Sequence, residues 1–171
     1  MLNPSLLRRP DRLNSLVVQR APPEHYAWLA EHAGCGVTHD FRAIEVAEAG
    51  RILGMVGYCD WAPNSARLHV AVERPWVIKY LLEPGFAYPF QEVGVGLLIG
   101  ITPANAIHAV KFNRHLGFRE AHRIKNGWGV GVDLIVFEMR REECRWLKPE
   151  SPGRQPGGER LASRYLENEK Q

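Results

Sequence analysis

The sequence predicts an α/β (α+β) domain in which a mixed central sheet of about six to seven strands is flanked by helices. Three observations predict it. Alternating apolar runs bounded by turn residues recur between Phe41 and Glu73, as antiparallel hairpins do. The run Leu97–Ile101 is too continuously apolar for a half-exposed strand and belongs in the middle of a sheet. Helical spacing fills the segments on either side of that run.

A chain of 171 residues is one domain, large enough to bury a core without staples. Its hydrophobic fraction of 45% and charged fraction of 24% are ordinary for a globular protein. A net charge of +3 does not by itself argue for nucleic acid, though it allows an anionic ligand. The three cysteines, Cys35, Cys59 and Cys144, have no paired or metal-like spacing, and no metal is expected. With no secretory signal and no apolar run of spanning length, the expectation is a cytoplasmic protein without membrane contact. A flexible N-terminus at 1–14 and a mobile polar tail at 148–171, rich in Pro, Gly and charge, should bracket a domain at 15–147.

In order, Leu16–Arg20 reads as a first strand. Pro22-Pro23 opens a helix to about Ala33, because proline costs nothing where the first amides lack partners. Gly34 and Gly36 end it. Phe41–Ala47 and Ile52–Trp61 form a hairpin about Glu48-Ala49-Gly50-Arg51, and Arg67–Glu73 returns after a turn at 62–65. Pro75 begins a helix that Pro84-Gly85 should interrupt, with Phe86–Val93 as its second piece across a kink at Pro84 and not as an unrelated element. Leu97–Ile101 follows. Asn105 is the expected N-cap of the next helix, and Gly117 can take the left-handed conformation that closes it. Phe118–Ile124, a loop at Lys125–Gly131 and a strand at Asp133–Arg140 complete the domain.

The stretch from Asn105-Ala106-Ile107-His108 to Leu116-Gly117-Phe118 resembles the closing signature of the GNAT acetyltransferases, roughly Asn, a helix with Ala and apolar residues, then Leu-Gly-Phe. The order of elements is also similar to that family's over residues 15 to 146. The resemblance implies a GNAT fold with a splayed central strand pair, here Arg67–Glu73 and Leu97–Ile101. It implies acetyl-CoA as co-substrate, lying between those strands, and acetyl transfer to an amine by direct attack on the thioester. Backbone groups at Leu68, Val70 and Val72 would orient the thioester, and Asn105 and Asn113 would hold the thiol end, with His108 near the cleft.

Two departures from the family stand out. Its glycine-rich pyrophosphate loop is replaced by Glu73-Arg74-Pro75-Trp76-Val77-Ile78-Lys79, so Arg74 and Lys79 are the remaining candidates for phosphate. A tyrosine acid four residues before the Leu-Gly-Phe glycine is replaced by Asn113, which cannot usefully give up a proton.

For the base, strand period places His69, Ala71 and Glu73 on one face of Arg67–Glu73, so His69 or Glu73 would deprotonate the amine, directly or through water. A polar outer face is the plain alternative. Glu45, Tyr58 and Asp60 are expected to face one region and line the acceptor pocket, with Trp61 and Tyr88 as its apolar wall. Trp128, among three glycines, packs on substrate, on a second copy in a homodimer, or on the core edge. The ending Met139–Leu147 resembles GNAT-like proteins of bacteriophages, which widens the acceptors from a small-molecule or nucleoside amine to DNA bases. A catalytically degenerate binding or structural protein is the other alternative.

Overall fold

The computed structural model describes residues 16–149. The expected flexible N-terminus, nearly all of the expected tail and a short helix expected near Leu161–Leu166 lie outside them. Strand β1 (Leu16–Arg20) leads through a 3-10 turn (Pro23–His25) into helix α1 (Tyr26–Ala33). Strands β2 (Arg42–Glu48), β3 (Arg51–Ala62) and β4 (Ser65–Val72) form an antiparallel meander. A turn at Pro75–Val77 starts helix α2 (Ile78–Ala87), which widens into a π-helical turn at Tyr88–Val93. Then come β5 (Leu97–Pro103), α3 (Ile107–Leu116), β6 (Arg119–Gly129) and β7 (Val132–Arg140).

Among the described residues the sheet has seven strands in the order β1-β2-β3-β4-β5-β7-β6, and only β4 and β5 pair in parallel. Leu97–Ile101 thus seeds a central strand, as its composition requires. Helices α2 and α3 cover one face. Val77 at the entry to α2 and the helical residues Leu81, Phe86, Val110 and Leu116 share a core with Val56, Leu68, Leu98 and Phe137 of the strands. Helix α1 covers the other face over β3 and β4, around Leu29, Phe41 and Met55. No helix among the described residues is long and apolar enough to cross a membrane.

Local chemistry explains the boundaries. Ala49 (φ 50°) and Gly50 (φ 79°) are both left-handed, the pair of angles a tight β2–β3 hairpin needs. Gly117 closes α3 with φ 106°, as its position before Phe118 requires.

Three expectations are corrected. Asn105 is not the N-cap of α3: Ala106 occupies that position and no side chain caps the helix. After Pro103 the chain turns tightly, with Ala106 N–H donating to the Pro103 carbonyl and Ile107 N–H to that of Asn105, so the helix starts later. Pro84 does not interrupt α2, which continues to Ala87. The Tyr58 hydroxyl donates to the Gly85 carbonyl, and buried Gly85 and Phe86 hold the turn in the core, so packing offsets the missing amide bond. The loop at Lys125–Gly131 is largely strand. The hairpin turns at Val130-Gly131, and Asn126 bridges it by donating its N–H to Asp133 Oδ1 at 3.1 Å and accepting from Gly131 N–H at 2.9 Å.

Candidate active site

The feature that organises the site is a gap inside the sheet. Strands β4 and β5 pair only from Ser65–Arg67 to Leu97–Ile99 and then part. Beyond that point β4 remains bonded to β3 as far as Val72, and β5 to β7 as far as Pro103. Along a strand the backbone groups alternate between neighbours. Glu73 N–H donates to the Leu53 carbonyl, so odd-numbered residues of β4 serve β3, and Leu68, Val70 and Val72 aim theirs at the gap. On β5, Gly96 O and Ala104 N–H both bond toward the β7 side, which turns Ile101 and the carbonyl of Pro103 toward the gap. A row of unmatched amides and carbonyls therefore lies within the sheet, where such groups are normally paired.

The gap has an apolar floor on the helical side, made by Leu68, Val70, Ile78, Leu82, Phe86 and Leu116. Its mouth lies where β4 and β5 end, and both α2 and α3 begin there. At α3 the N–H groups of His108 and Ala109 find no backbone acceptor among the described residues, and both residues are exposed. At α2 the donors are fewer. Pro75 has none, Val77 N–H is taken by the Arg74 carbonyl, and among the described residues Trp76 N–H alone remains without a partner. Among the described residues Arg74 is exposed without an ion pair, and Lys79 lies 4.9 Å from the Tyr80 ring centre. Helix N-termini favour anions, so the mouth carries positive potential despite the missing glycine loop.

The expected catalytic residues fall in different settings. Glu73 stands at the end of β4 with its side chain 22% exposed, and accepts from Arg51 at 2.7 Å. His69 lies on the α1 face with Nε2 3.3 Å from Cys59 Sγ. Burial, with the charge of Arg67, lowers its pKa from 6.5 to about 4. The imidazole is thus neutral at pH 7 and holds a proton poorly. Burial also pushes the Cys59 thiol up to about 12, which keeps it an inert thiol. Asn113 is buried; its Nδ2 donates to Thr102 Oγ1 at 2.8 Å, and its carbonyl accepts from Phe118 N–H. It ties α3 to β5.

A buried neutral histidine makes stability depend on pH. Its folded pKa lies below its unfolded one, so its contribution is complete above about pH 6.5 and declines as pH falls toward about 4. Denaturant midpoints at pH 7 and pH 5 should therefore differ more for the parent than for His69→Asn. Equal differences would contradict this assignment.

Glu45, Tyr58 and Asp60 do not face one region, which corrects the expectation. Glu45 is fully buried on the α1 face, accepting from Gln19 Nε2 at 2.7 Å and contacting His25 Nδ1 at 2.8 Å. Tyr58 is buried on the opposite face, against Tyr88 and Trp61. A β-bulge between Val46 and Ala47 makes the difference, because one extra residue in β3 reverses which face each partner shares. Asp60 is exposed (φ 51°) and sits 3.5 Å from Arg67. Trp128, on the outer hairpin, is 60% exposed. Among the described residues no cluster of His, Cys, Asp and Glu could hold a metal ion.

Sequence reasoning ended the second gap strand at Ile101, so it missed Pro103, and it missed Ile78, Leu82, Phe86 and Leu116 as the floor. Only Pro103 carried a signal, since a proline ending a central strand marks a lost ladder bond.

No protein-family model matches this chain, and no curated protein matches it. Solved structures do. The spermidine/spermine N-acetyltransferase SpeG from Vibrio cholerae, in complex with manganese ions, aligns with TM-score 0.62 at 12% identity, over 75% of this chain and 94% of that one. The spermidine N-acetyltransferase from the same organism, in complex with CoA and spermine, aligns with TM-score 0.61 at 12% identity, over 76% and 98%. A probable acetyltransferase aligns with TM-score 0.53 at 15% identity, over 71% and 70%. The mixed seven-stranded sheet flanked by helices is the GNAT fold that these structures share.

Proposed function

We propose that this GNAT-fold chain is an acetyl-CoA-dependent N-acetyltransferase. The observation that carries the reading is the gap between β4 and β5, whose unmatched groups suit an amide-bearing arm lying between the strands as an extra strand would. Leu68, Val70 and Val72 would bond the arm from one side and Ile101 and Pro103 from the other. The apolar floor would exclude water from it. Phosphates would sit at the mouth, on the free amides of α3 and near Arg74, Lys79 and His108.

Acetyl-CoA supplies an activated acyl group. The acceptor nitrogen forms a bond to the acyl carbon as the carbon–sulfur bond breaks, and the thiolate leaves. The nitrogen loses one proton and the thiolate gains one, so the products are an amide and a free thiol. Of the two expected bases, Glu73 stands at the mouth, where the phosphates would sit, and His69 lies under α1, so the nitrogen's proton would reach either one through water. Neither Asn113 nor its neighbour Thr102 can serve as the acid, so the thiolate takes its proton from solvent. Amine attack depends chiefly on a deprotonated, aligned nucleophile, and a missing acid slows the reaction without preventing it.

Calorimetric titration of the full chain with acetyl-CoA, beside free CoA, tests the reading. Saturable binding is expected. The Arg74→Ala, Lys79→Ala double variant should weaken it about tenfold, since two exposed cations near a phosphate contribute about 0.5–1 kcal/mol each. Absence of binding at millimolar ligand would overturn the enzyme reading.

The reduced α2 terminus and the tethered Asn113 favour a second reading, a domain that binds a ligand or partner without turnover; acetyl-CoA binding with no transfer to any amine would select it. The DNA-base reading draws little support, because Arg140 pairs with Glu138 and Arg145 bonds the His115 carbonyl and stacks on Trp146.

A further inference from the structure

The two faces of the sheet are covered unequally. Helices α2 and α3 cover one face, whereas α1 covers the other chiefly over β3 and β4. Beside the gap, on that second face, Ile101 lies opposite Val136 and Pro103 opposite Leu134 in the β5–β7 ladder. All four are only partly buried, while the alternating residues Thr102, Ile135 and Phe137 are buried against α3. An apolar strip is thus partly open to solvent next to the unmatched groups of β5.

The charges around this strip are already matched. Glu138 lies 3.7 Å from Arg119 and 3.9 Å from Arg140. Glu73 lies 2.7 Å from Arg51 and Asp60 3.5 Å from Arg67, whereas Asp133 and Arg123 lie on the α3 face. A polycation binds through several carboxylates spaced along it, and here each one would have to displace an arginine first. An apolar body meets no such obstacle. It covers these partly exposed aliphatic side chains, and its amine needs only one acceptor at the gap.

Resting on the acyl-transfer reading, we propose that the acceptor is a single amine carried on an apolar body, seated on Ile101, Pro103, Leu134 and Val136, and not a polyamine. The strip orients the acceptor so that its nitrogen reaches the gap from the α1 face, while the co-substrate occupies the space between the strands.

The test compares acetyl transfer to 2-phenylethylamine and to spermidine by the full chain, with acetyl-CoA binding measured in parallel by calorimetry. The expected result is a kcat/KM for 2-phenylethylamine at least about tenfold above that for spermidine. Val136→Glu, which places an unpaired carboxylate on the strip, should raise KM for 2-phenylethylamine about tenfold and shrink the preference. Leu134→Gln, a gentler change, should move KM in the same direction with acetyl-CoA affinity unchanged. Equal or better turnover of spermidine would overturn the proposal. So would acetyl-CoA binding with no turnover of 2-phenylethylamine, or variants that leave KM unmoved. Failure of acetyl-CoA itself to bind would remove the acyl-transfer reading, and the acceptor proposal with it.

Discussion

Gly57→Val is expected to cost the protein about 3 kcal/mol or more and to lower its melting temperature by roughly 10 °C. Gly57 sits in the middle of β3, beneath α1. A Cβ there would lie 2.5 Å from Leu29 Cδ2 and 2.5 Å from Phe41 Cζ, well inside contact distance. Neither neighbour can yield easily, since Leu29 is 0% and Phe41 1% exposed. Close-packed interiors respond to added volume by moving whole elements, so α1 would have to lift from the sheet. Thermal unfolding followed by circular dichroism reads the effect. A melting temperature within about 2 °C of the parent would show that the α1–β3 contact is looser than described.

The second large effect concerns the gap. Val70→Pro should weaken acetyl-CoA binding about tenfold or more while the sheet persists. The Val70 amide points at the gap and makes no bond to β3, so proline removes a donor that the native ladder does not use. A ligand carbonyl left without that donor loses about 1.4 kcal/mol, and the ring also intrudes on the arm's path. Ala71→Pro is the contrasting variant, because its amide belongs to the β3 ladder. It should unfold the protein before binding can be read. Undiminished affinity in a folded Val70→Pro protein would remove the strand-like docking of the co-substrate.

Much of the fold was legible because its signals are local. The alternation in β2 to β4, the Ala49-Gly50 turn, the apolar run of β5 and the Gly117 stop each depend on a few neighbouring residues. The first departure from the glycine loop was equally local, and Pro75 and Trp76 leave α2 with one free amide where a nest would offer several. Signals failed where packing overrode propensity. Pro84 sits inside a continuous helix because Tyr58 and the core hold Gly85 and Phe86 in place. Asn105, a good cap by composition, was bypassed by the turn after Pro103.

The sequence by itself determined the element order and the central place of β5 beside a partner strand. Only the tertiary structure decided that the partner is absent there, since the divergence of β4 from β5 after Arg67 and Ile99 is a relation between distant segments. It alone separated Glu45 from Tyr58, because one bulged residue reverses every face beyond it and leaves no mark in local composition. It also placed His69 under α1, where burial and not residue type sets the proton's affinity.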